Sequence, residues 1–453
     1  MQLHNTIQII LLVLILISVN KQLIKKSRLI LKRTVVVSIW YLSKLVPKST
    51  NLVVFGAENG RGFRGNPKYL FLEMEKNPEL KCVWISKDSN TVLELTNKGY
   101  LAFKHNSLKG ILYQVRAKLV IHSHSINDDF YKVLLGGAIS YNTWHGVGLK
   151  KVWGANKKTF TYKIIHEKSF IKRFFGKFVV RTNSAKTNFV VSTSEKVSSY
   201  YPETYLVKKE NVLELGQVRN DIFFIDTEED REVPSFIKEN KIITYMPTHR
   251  NFGKIDTDIN LIFDFQKLDE FCKKTGYKFI VKRHMYSSGY IPKSYQNIID
   301  ISDDNIDPQF LLKYTDILLT DYSSCYTDFL LLDRPVAFYC YDLETYLQKS
   351  NEMYHGYFDV TPGPKVRAFS ELLDCLAKYI ENPSLDCIER ERVLNIFYSK
   401  ENQKAVLEKQ VNYVYENILN IGSKVTMEGR YDHEKNKINT YNNRKSNDSN
   451  RVL

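Results

Sequence analysis

The side chains best suited to chemistry stand in four short polar clusters, each directly after an apolar run. Each run is short enough for a buried β-strand, so each cluster would lie where a strand ends. In open α/β sheets, ligands bind at the carboxyl ends of the strands. The clusters are Asn142–Gly146, Pro247–Arg250, Lys282–His284 and Asp321–Ser324, and we expect them to line one crevice.

The three later clusters carry groups that bind a diphosphate. Arg250 has a guanidinium and His284 an imidazole, while Ser323 and Ser324 place hydroxyls at the predicted start of a helix. Arginine forms charge-assisted bonds with phosphate, and N–H groups at a helix start bind anions. A helix cap or a solvated basic residue explains any one cluster alone. Three clusters at one sheet edge, with Asp321 in the last turn, favour a site for an activated phosphate donor.

The first cluster brings a histidine to the opposite side of the predicted crevice. His145 lies in the only His-Gly pair that follows a strand in the first half of the chain. A lone histidine after a strand is more often a structural hydrogen-bonding residue than a catalyst. A histidine with a pKa near neutrality can also take a proton from an attacking hydroxyl. Facing a phosphate site, His145 is a candidate general base.

The elements that must position these clusters alternate between strand and helix over most of the chain. A chain of 453 residues is too long for one core, and an acidic stretch, Asp226–Glu232, separates two similar halves. We predict an α/β fold of two domains, over residues 49–225 and 235–422, facing a central crevice. A separate segment over 1–48 precedes them. The polar tail over 423–453 has the composition of a disordered region.

The amino-terminal segment predicts association with a membrane. Residues 7–19 form an apolar run that is shorter than the ~20 residues of a spanning helix. Eight Lys and Arg residues follow before the first acidic residue, Glu58. We expect residues 6–46 to associate with an anionic membrane and to keep the protein on its cytoplasmic side. The alternative is a buried amino-terminal helix of the soluble body.

The net charge of +15 favours a polyanionic partner, which could be nucleic acid, an anionic membrane or a phosphate-rich substrate. Residues 150–186 concentrate part of this charge and interleave it with aromatic side chains. Solvated helix faces explain such a run in most proteins. The sharper alternative is a surface for a polyanionic acceptor or for lipid head groups.

Several other patterns have weaker implications. Gly60, Gly62 and Gly65 spell G-x-G-x-x-G, but Arg61 and Arg64 crowd the loop, so a basic loop at the crevice is favoured over dinucleotide binding. The six cysteines are scattered without a C-x-x-C pair, which disfavours a zinc site or a disulfide framework and suggests reduced cytosolic thiols.

One stretch resembles a known family. YNTWHGVGLKKVWG, residues 141–154, is similar to the W-H-G-x-P-L-K-x-x-G signature of the CDP-glycerol glycerophosphotransferases. This family includes wall teichoic acid primases and polymerases and their capsule and O-antigen relatives. Gly148 and Val218 replace prolines of the family pattern, which bears on the acceptor rather than on the reaction. Further matches come in the family's order: GNPKYLF (65–71), GQVRND (216–221), YMPTHR (245–250), VKRHMYSS (281–288) and TDILLTDYSSCYTDFLLLDRPVAFYCYDLETY (315–346).

The resemblance implies a GT-B-type fold and a transfer reaction. Polyol phosphate, with glycerol phosphate favoured, would pass from a CDP-polyol to a hydroxyl of a lipid-linked or polymeric anionic acceptor, releasing CMP. His145 would be the general base. The implied donor-binding residues are Arg250, His284, Ser323 and Ser324, with Asp321 shaping the turn, and the acceptor-side candidates are Trp144, Gly146, Lys150 and Asn66.

The same resemblance implies no cofactor and no metal ion. Asp256-Thr257-Asp258 has the D-x-D spelling of a metal site, but it lies away from a strand end and is interpreted as a coincidence. The alternatives left open are a CDP-ribitol ribitolphosphotransferase, a GT-B glycosyltransferase using a nucleotide sugar, and a basic membrane-tethered protein that binds polyanions. We expect no nucleic-acid partner, an oligomer is possible, and the expected location is the cytoplasmic side of the cell membrane.

Overall fold

This computed structural model describes residues 34–181, 187–248, 258–283, 289–304, 306–349 and 352–422. Several residues singled out from the sequence lie outside these ranges: Arg250, His284, the apolar run over 7–19, Asp256-Thr257 and the tail over 423–453. The first half of the described chain contains one sheet and the second half contains another.

The first sheet has seven strands, and every pair of neighbours runs parallel. Its order is β3-β2-β1-β4-β5-β6-β7. Its apolar strands are buried on both faces, as a parallel sheet covered by helices requires. The strands are β1 Leu52–Gly56, β2 Lys81–Ser86, β3 Ala102–Lys104, β4 Leu119–His122, β5 Ile139–Asn142, β6 Phe189–Ser192 and β7 Val212–Glu214.

The second sheet has six strands, again all parallel, in the order β10-β9-β8-β11-β12-β13. The strands are β8 Lys241–Tyr245, β9 Tyr277–Val281, β10 Ile298–Asp300, β11 Ile317–Thr320, β12 Val336–Tyr339 and β13 Lys365–Val366. In both sheets the strand order reverses once, between β1 and β4 and between β8 and β11. Such switch points open a crevice at the carboxyl ends of the strands, where ligands bind in α/β proteins.

Helices cover the faces of both sheets. In the first half they are α1 (34–43), α2 Gly65–Met74, α3 Ser89–Asn97, α4 Leu108–Arg116, α5 Ile126–Asp129, α6 Phe160–Ile165, α7 Phe170–Arg181 and α8 Glu195–Tyr205. After the first sheet come α9 Ser235–Lys238, α10 Phe265–Thr275, α11 Pro308–Tyr314, α12 Cys325–Phe329, α13 Leu343–Lys349, α14 Phe369–Glu381, α15 Cys387–Phe397 and α16 Val406–Val414.

The final helix corrects one expectation. The sequence predicts an amphipathic helix over residues 405–419 that closes the second domain. In the structure, α16 packs against the first sheet instead: Val411 and Val414 share a core cluster with Phe55 of β1. The carboxylate of Asp221 accepts hydrogen bonds from the first N–H groups of this helix, including that of Val406 at 3.0 Å. The chain therefore crosses back and ties the second half to the first.

The two halves also share a continuous apolar core. One cluster joins Val147 and Tyr201 of the first half to Phe310 and Tyr326 of the second. The two halves therefore pack directly against each other.

The predicted membrane-associating segment lies only partly within the described residues. Helix α1 contacts the turn that leads into β5 through Ser43, whose hydroxyl accepts a hydrogen bond from the N–H of Gly136 at 2.9 Å. Val35, Ile39 and Leu42 on the same helix are exposed. Of the helices that can be described, none combines the length and the apolar character needed to cross a bilayer.

Candidate active site

Two turns from different halves of the chain meet at the crevice. We call them the histidine turn, Asn142–Gly146 after β5, and the serine turn, Asp321–Ser324 after β11. A Cβ placed on Gly146 would lie 3.9 Å from Oγ of Ser324 and 2.9 Å from Nη2 of Arg219. The residue after His145 is therefore next to the second serine of the serine turn.

The backbone of the histidine turn adopts unusual angles. Trp144 has φ +54° and Gly146 has φ +134°, both in the left-handed region. For a bulky residue such as Trp144 this conformation costs ~1–2 kcal/mol. Hydrogen bonds offset the cost: the N–H of Trp144 donates to Oδ1 of Asn142 at 2.9 Å, and the amide of Asn66 donates to the Trp144 carbonyl at 2.9 Å. Asn66 is fully buried, so it holds the turn from the interior of the protein.

The imidazole of His145 is held on three sides. Its ring lies 4.1 Å from the ring of Trp144 and 4.1 Å from that of His124, centroid to centroid. Nδ1 of His145 is 2.9 Å from the carbonyl oxygen of Ser123. A carbonyl can only accept, so Nδ1 carries the proton in the neutral ring and Nε2 keeps its lone pair.

Burial lowers the pKa of His145 to about 4, and the Arg219 guanidinium adds to the lowering. At neutral pH the ring is therefore uncharged and able to accept a proton at Nε2. No described residue hydrogen-bonds that nitrogen. The histidine turn can thus supply a base to whatever enters the crevice.

The serine turn is organised by one buried carboxylate. Oδ1 of Asp321 accepts hydrogen bonds from the N–H groups of Thr248 at 2.7 Å and of Tyr322 at 2.5 Å. Asp321 thereby joins the turn after β11 to the turn after β8.

The serines cap helix α12 only weakly. Oγ of Ser323 accepts a long hydrogen bond of 3.4 Å from the N–H of Cys325, and Ser324 makes no side-chain cap bond. The helix itself has five residues. Ser323 is thus the serine that caps the helix, through this one long bond, and both serines remain half-exposed beside the crevice.

The two residues before His284 have structural partners. Nζ of Lys282 donates to the carbonyl of Ile301 at 3.0 Å, and Arg283 pairs with Asp300 at 2.7 Å.

Lys150, an acceptor-side candidate, lies at a bridge to Met353 and places its ammonium 5.3 Å from the ring centroid of Tyr346. Lys150 therefore joins the halves.

A buried polar network links the two turns, and its members were not among the site residues predicted above. Asp328 lies one helical turn after Ser324, and Arg219 donates to its carboxylate through a short ion pair. Asn220 donates to the same carboxylate at 3.1 Å and Gln309 at 3.2 Å. The Asp328 side chain is 1% exposed. Arg219 thus connects Gly146 of the histidine turn to the helix that follows the serine turn.

Two further histidines near the crevice were missed from the sequence. His122 ends β4, and His124 follows it in an H-S-H-S run. Burial lowers the pKa of His122 to about 4, and it lowers the pKa of His124 as well. The signal was present, because this run follows an apolar strand as the four clusters do.

The glycine-rich loop lines a cavity between the halves. Arg61 and Arg64 lie on one side and Asp304 and Asp307 on the other, around a volume of about 670 Å³. The interpretation as a basic loop at the crevice therefore has a structural counterpart. Within the described ranges, no group of three or more His, Cys, Asp or Glu side chains is placed to hold a metal ion.

Comparison with known proteins identifies the family. The model of CDP-glycerol:poly(glycerophosphate) glycerophosphotransferases matches residues 39–419. The chain belongs to this family. The expected resemblance is thereby confirmed, and so is the expected class of enzyme, a transferase of the CDP-glycerol glycerophosphotransferase type.

Individual members of the family differ in length. A teichoic acid glycerol-phosphate transferase of Staphylococcus aureus is 28% identical over 82% of this chain and 94% of its own length. A teichoic acid poly(glycerol phosphate) polymerase of Bacillus spizizenii is 26% identical over 78% of this chain and 91% of its own length. A poly(ribitol-phosphate) polymerase of the same organism is 26% identical over 74% of this chain, which spans about half (52%) of that polymerase.

Solved structures of the wall teichoic acid polymerase TagF share the fold. One aligns with a TM-score of 0.65 and 22% identity, covering 86% of this chain and 95% of that one. The expected α/β architecture with two parallel sheets is confirmed.

Proposed function

We propose that this chain transfers a polyol phosphate from a CDP-polyol to a hydroxyl of a lipid-linked or polymeric cell-envelope acceptor, releasing CMP. Glycerol phosphate is the favoured group, and the product is a teichoic-acid-like polymer or a related capsule or O-antigen polymer. One observation carries the proposal. His145 is neutral with an unbonded Nε2, and the next residue, Gly146, lies beside Ser324, in a member of the glycerophosphotransferase family.

In the proposed reaction, the acceptor oxygen attacks the phosphorus that bears the polyol. Its proton passes to Nε2 of His145, the new O–P bond forms, and the bond from that phosphorus to the CMP oxygen breaks. Arg250, His284 and the hydroxyls of Ser323 and Ser324 would hold the diphosphate and stabilise the leaving CMP. The negative charge of the donor beside His145 would raise the low pKa of the ring towards a value useful for a base.

Residues that the resemblance assigned to the acceptor side divide into two groups. Gly146 leaves the space through which the histidine turn approaches Ser324, so its role would be to admit the donor. Asn66 and Trp144 would act on the acceptor only through His145, because Asn66 holds the turn and Trp144 covers one face of the imidazole.

We propose that the protein works at the cytoplasmic face of the membrane. Helix α7 exposes a row of large apolar side chains between Lys and Arg residues, a pattern typical of helices that lie in a membrane interface. Lys168, Lys172 and Lys177 would contact anionic head groups. The exposed apolar residues are Phe170, Ile171, Phe174 and Phe175.

The test is a panel of donors with one soluble acceptor. The full chain is incubated with CDP-glycerol, CDP-ribitol or UDP-sugars, and the released CMP or UDP is measured. The mass of the product is determined by mass spectrometry. We expect CMP release from a CDP-polyol, and a loss of ~100-fold or more in His145→Ala. His166→Ala, on the exposed end of α6, is the matched control. Release of UDP alone, or full activity in His145→Ala, would refute the proposal.

A further inference from the structure

A second imidazole lies parallel to that of His145. The rings of His124 and His145 are 4.1 Å apart between centroids, with an angle of 10° between their planes. His124 follows β4 and His145 follows the neighbouring strand β5, so the parallel pairing of these strands brings the two residues together. Both side chains are half-buried at the crevice.

One residue anchors both rings. The carbonyl oxygen of Ser123 accepts from Nδ1 of His145 at 2.9 Å, and the hydroxyl of the same serine is 2.9 Å from Nδ1 of His124. The backbone of this anchor is itself fixed, because Oδ2 of Asp129 accepts from the N–H of His124 at 3.1 Å. Asp129 also accepts from the N–H of Gly60 at 3.1 Å, which ties in the glycine-rich loop.

These bonds leave Nε2 of each ring without a hydrogen bond to a described residue. With each Nδ1 bonded to Ser123, each ring presents Nε2 on the side away from that residue. No described residue hydrogen-bonds either Nε2, and neither is among the buried side-chain atoms that lack a partner. The two rings that carry these nitrogens are stacked, with 4.1 Å between their centroids.

The two nitrogens differ in what they can do. Nε2 of His145 must accept, since its Nδ1 donates to a carbonyl. The Ser123 hydroxyl can donate to Nδ1 of His124, in which case Nε2 of His124 carries the proton and donates. An acceptor and a donor at this spacing match two adjacent hydroxyls of one molecule, one losing its proton to His145 while the other accepts from His124.

We propose that His124 and His145 together bind a vicinal diol, the terminal pair of adjacent hydroxyls on a polyol-phosphate acceptor. His145 contacts the hydroxyl that attacks, and His124 contacts its neighbour. His124 is therefore a specificity residue that selects acceptors ending in a polyol over acceptors ending in a single hydroxyl. This proposal depends on the proposed function, since it names the acceptor group of the same reaction.

The experiment compares two acceptors that differ in one oxygen. Octyl phosphoglycerol ends in a vicinal diol, whereas octyl phospho-1,3-propanediol ends in one hydroxyl without a neighbour. Transfer from CDP-glycerol to each is measured as kcat and KM with the full chain. The variants are His124→Phe, which keeps a flat ring against His145 but has no nitrogen, and His124→Gln, whose amide can reach the position of Nε2.

The wild type should prefer the diol by ~10-fold or more in kcat/KM, the value of one hydrogen bond to a positioned group. His124→Phe should lower the diol value to that of the single hydroxyl and leave the latter within about twofold. His124→Gln should restore part of the preference. His105→Ala is the control, because His105 is also half-buried at a strand end and stacked on an aromatic ring, that of Tyr131.

Other results would overturn the proposal. A wild type that does not distinguish the acceptors, or a His124→Phe variant that slows both equally, would mean that His124 only supports His145. Absence of transfer from any CDP-polyol by the wild type would instead reject the proposed function, and this inference with it. Melting temperatures of all variants identify any loss that reflects unfolding.

Discussion

The two turns that meet at the crevice are built by different means. The histidine turn is held by several contacts. Asn142 and Asn66 hold its backbone in left-handed conformations, and the imidazole of His145 lies between two other rings. The serine turn is held by the carboxylate of Asp321 and by the stacked, hydrogen-bonded ring of Tyr322, and it leaves its two serines half-exposed. The first arrangement fixes a neutral base before any ligand arrives. The second would offer neutral hydroxyl groups to the negatively charged diphosphate of the proposed donor.

The largest expected effect comes from breaking the link between the turns. Asp328→Ala removes the carboxylate that receives Arg219, Asn220 and Gln309, and leaves a buried guanidinium without its partner. Loss of one member of a buried ion pair costs about 3–5 kcal/mol. We expect urea denaturation to show a destabilisation of that size.

Glu94→Ala is the control for this variant. Glu94 forms an exposed ion pair with Lys98 on α3, and such pairs contribute less than ~1 kcal/mol. Equal destabilisation by the two variants would mean that Asp328 is not the centre of a buried network.

The next effect concerns the histidine turn alone. Gly146→Ala places a methyl group 2.9 Å from Nη2 of Arg219, at a φ of +134° that side chains rarely adopt. Because His145 is the preceding residue, the imidazole should move relative to Ser324. A displacement of ~1 Å at a reacting group costs ~100-fold in rate, and we expect that loss in kcat for CMP release.

The matching control is Gly276→Ala. Gly276 also has a positive φ, +74°, but nothing lies within 4 Å of its added Cβ. It should lose some stability and keep its kcat. If Gly276→Ala lost as much activity as Gly146→Ala, backbone strain rather than the crevice geometry would explain the result.

A smaller effect is expected in the serine turn. Ser324→Ala removes one hydroxyl next to Gly146 without disturbing a cap, because Ser324 makes none. One hydrogen bond to a charged group contributes ~1.5 kcal/mol, so kcat/KM for the CDP-polyol should fall ~10-fold while the melting temperature stays unchanged. Ser199→Ala, on exposed α8, provides the comparison. An unchanged KM and kcat in Ser324→Ala would exclude this hydroxyl from the donor site.

Much of the fold could be predicted because buried parallel strands form unbroken apolar runs. Val53–Phe55, Val120–Ile121 and Ile317–Leu319 are such runs, and all lie in strands. Strand β3 was not predicted, and β13 could not be, because its two residues include only one apolar side chain. The place of α16 could not be predicted, since amphipathicity indicates that a helix has an apolar face but not which sheet will cover it.

The candidate site likewise contains residues that could be predicted from the sequence and residues that could not. His145 and Ser324 were found because each follows a strand directly. His124 was missed although it follows β4, because its contact with His145 depends on β4 and β5 being neighbours in the sheet. Arg219 and Asp328 were missed because they are 109 positions apart and meet only through the packing of the two halves.

The smallest expected effect separates the turns by their response to pH. Burial lowers the pKa of His145 to about 4, from an ordinary value of 6.5. The unfolded chain therefore takes up this proton at a higher pH than the folded chain. The contribution of His145 to the free energy of unfolding is full above pH 6.5 and is lost as the pH falls towards 4. His145→Gln should lose roughly 1 kcal/mol less than the wild type between pH 7 and 5.5.

Comparison with a serine-turn variant makes this prediction specific. Asp129 acts in the opposite direction, because burial raises its pKa to about 7, but it is present in every variant and cancels in the difference. Ser324→Ala carries no titrating change and should follow the wild-type pH profile. Urea midpoints measured at half-unit intervals give the three curves. If His145→Gln and Ser324→Ala gave parallel curves, the imidazole would not be buried in its neutral form, and the histidine turn would not hold a base ready for the acceptor.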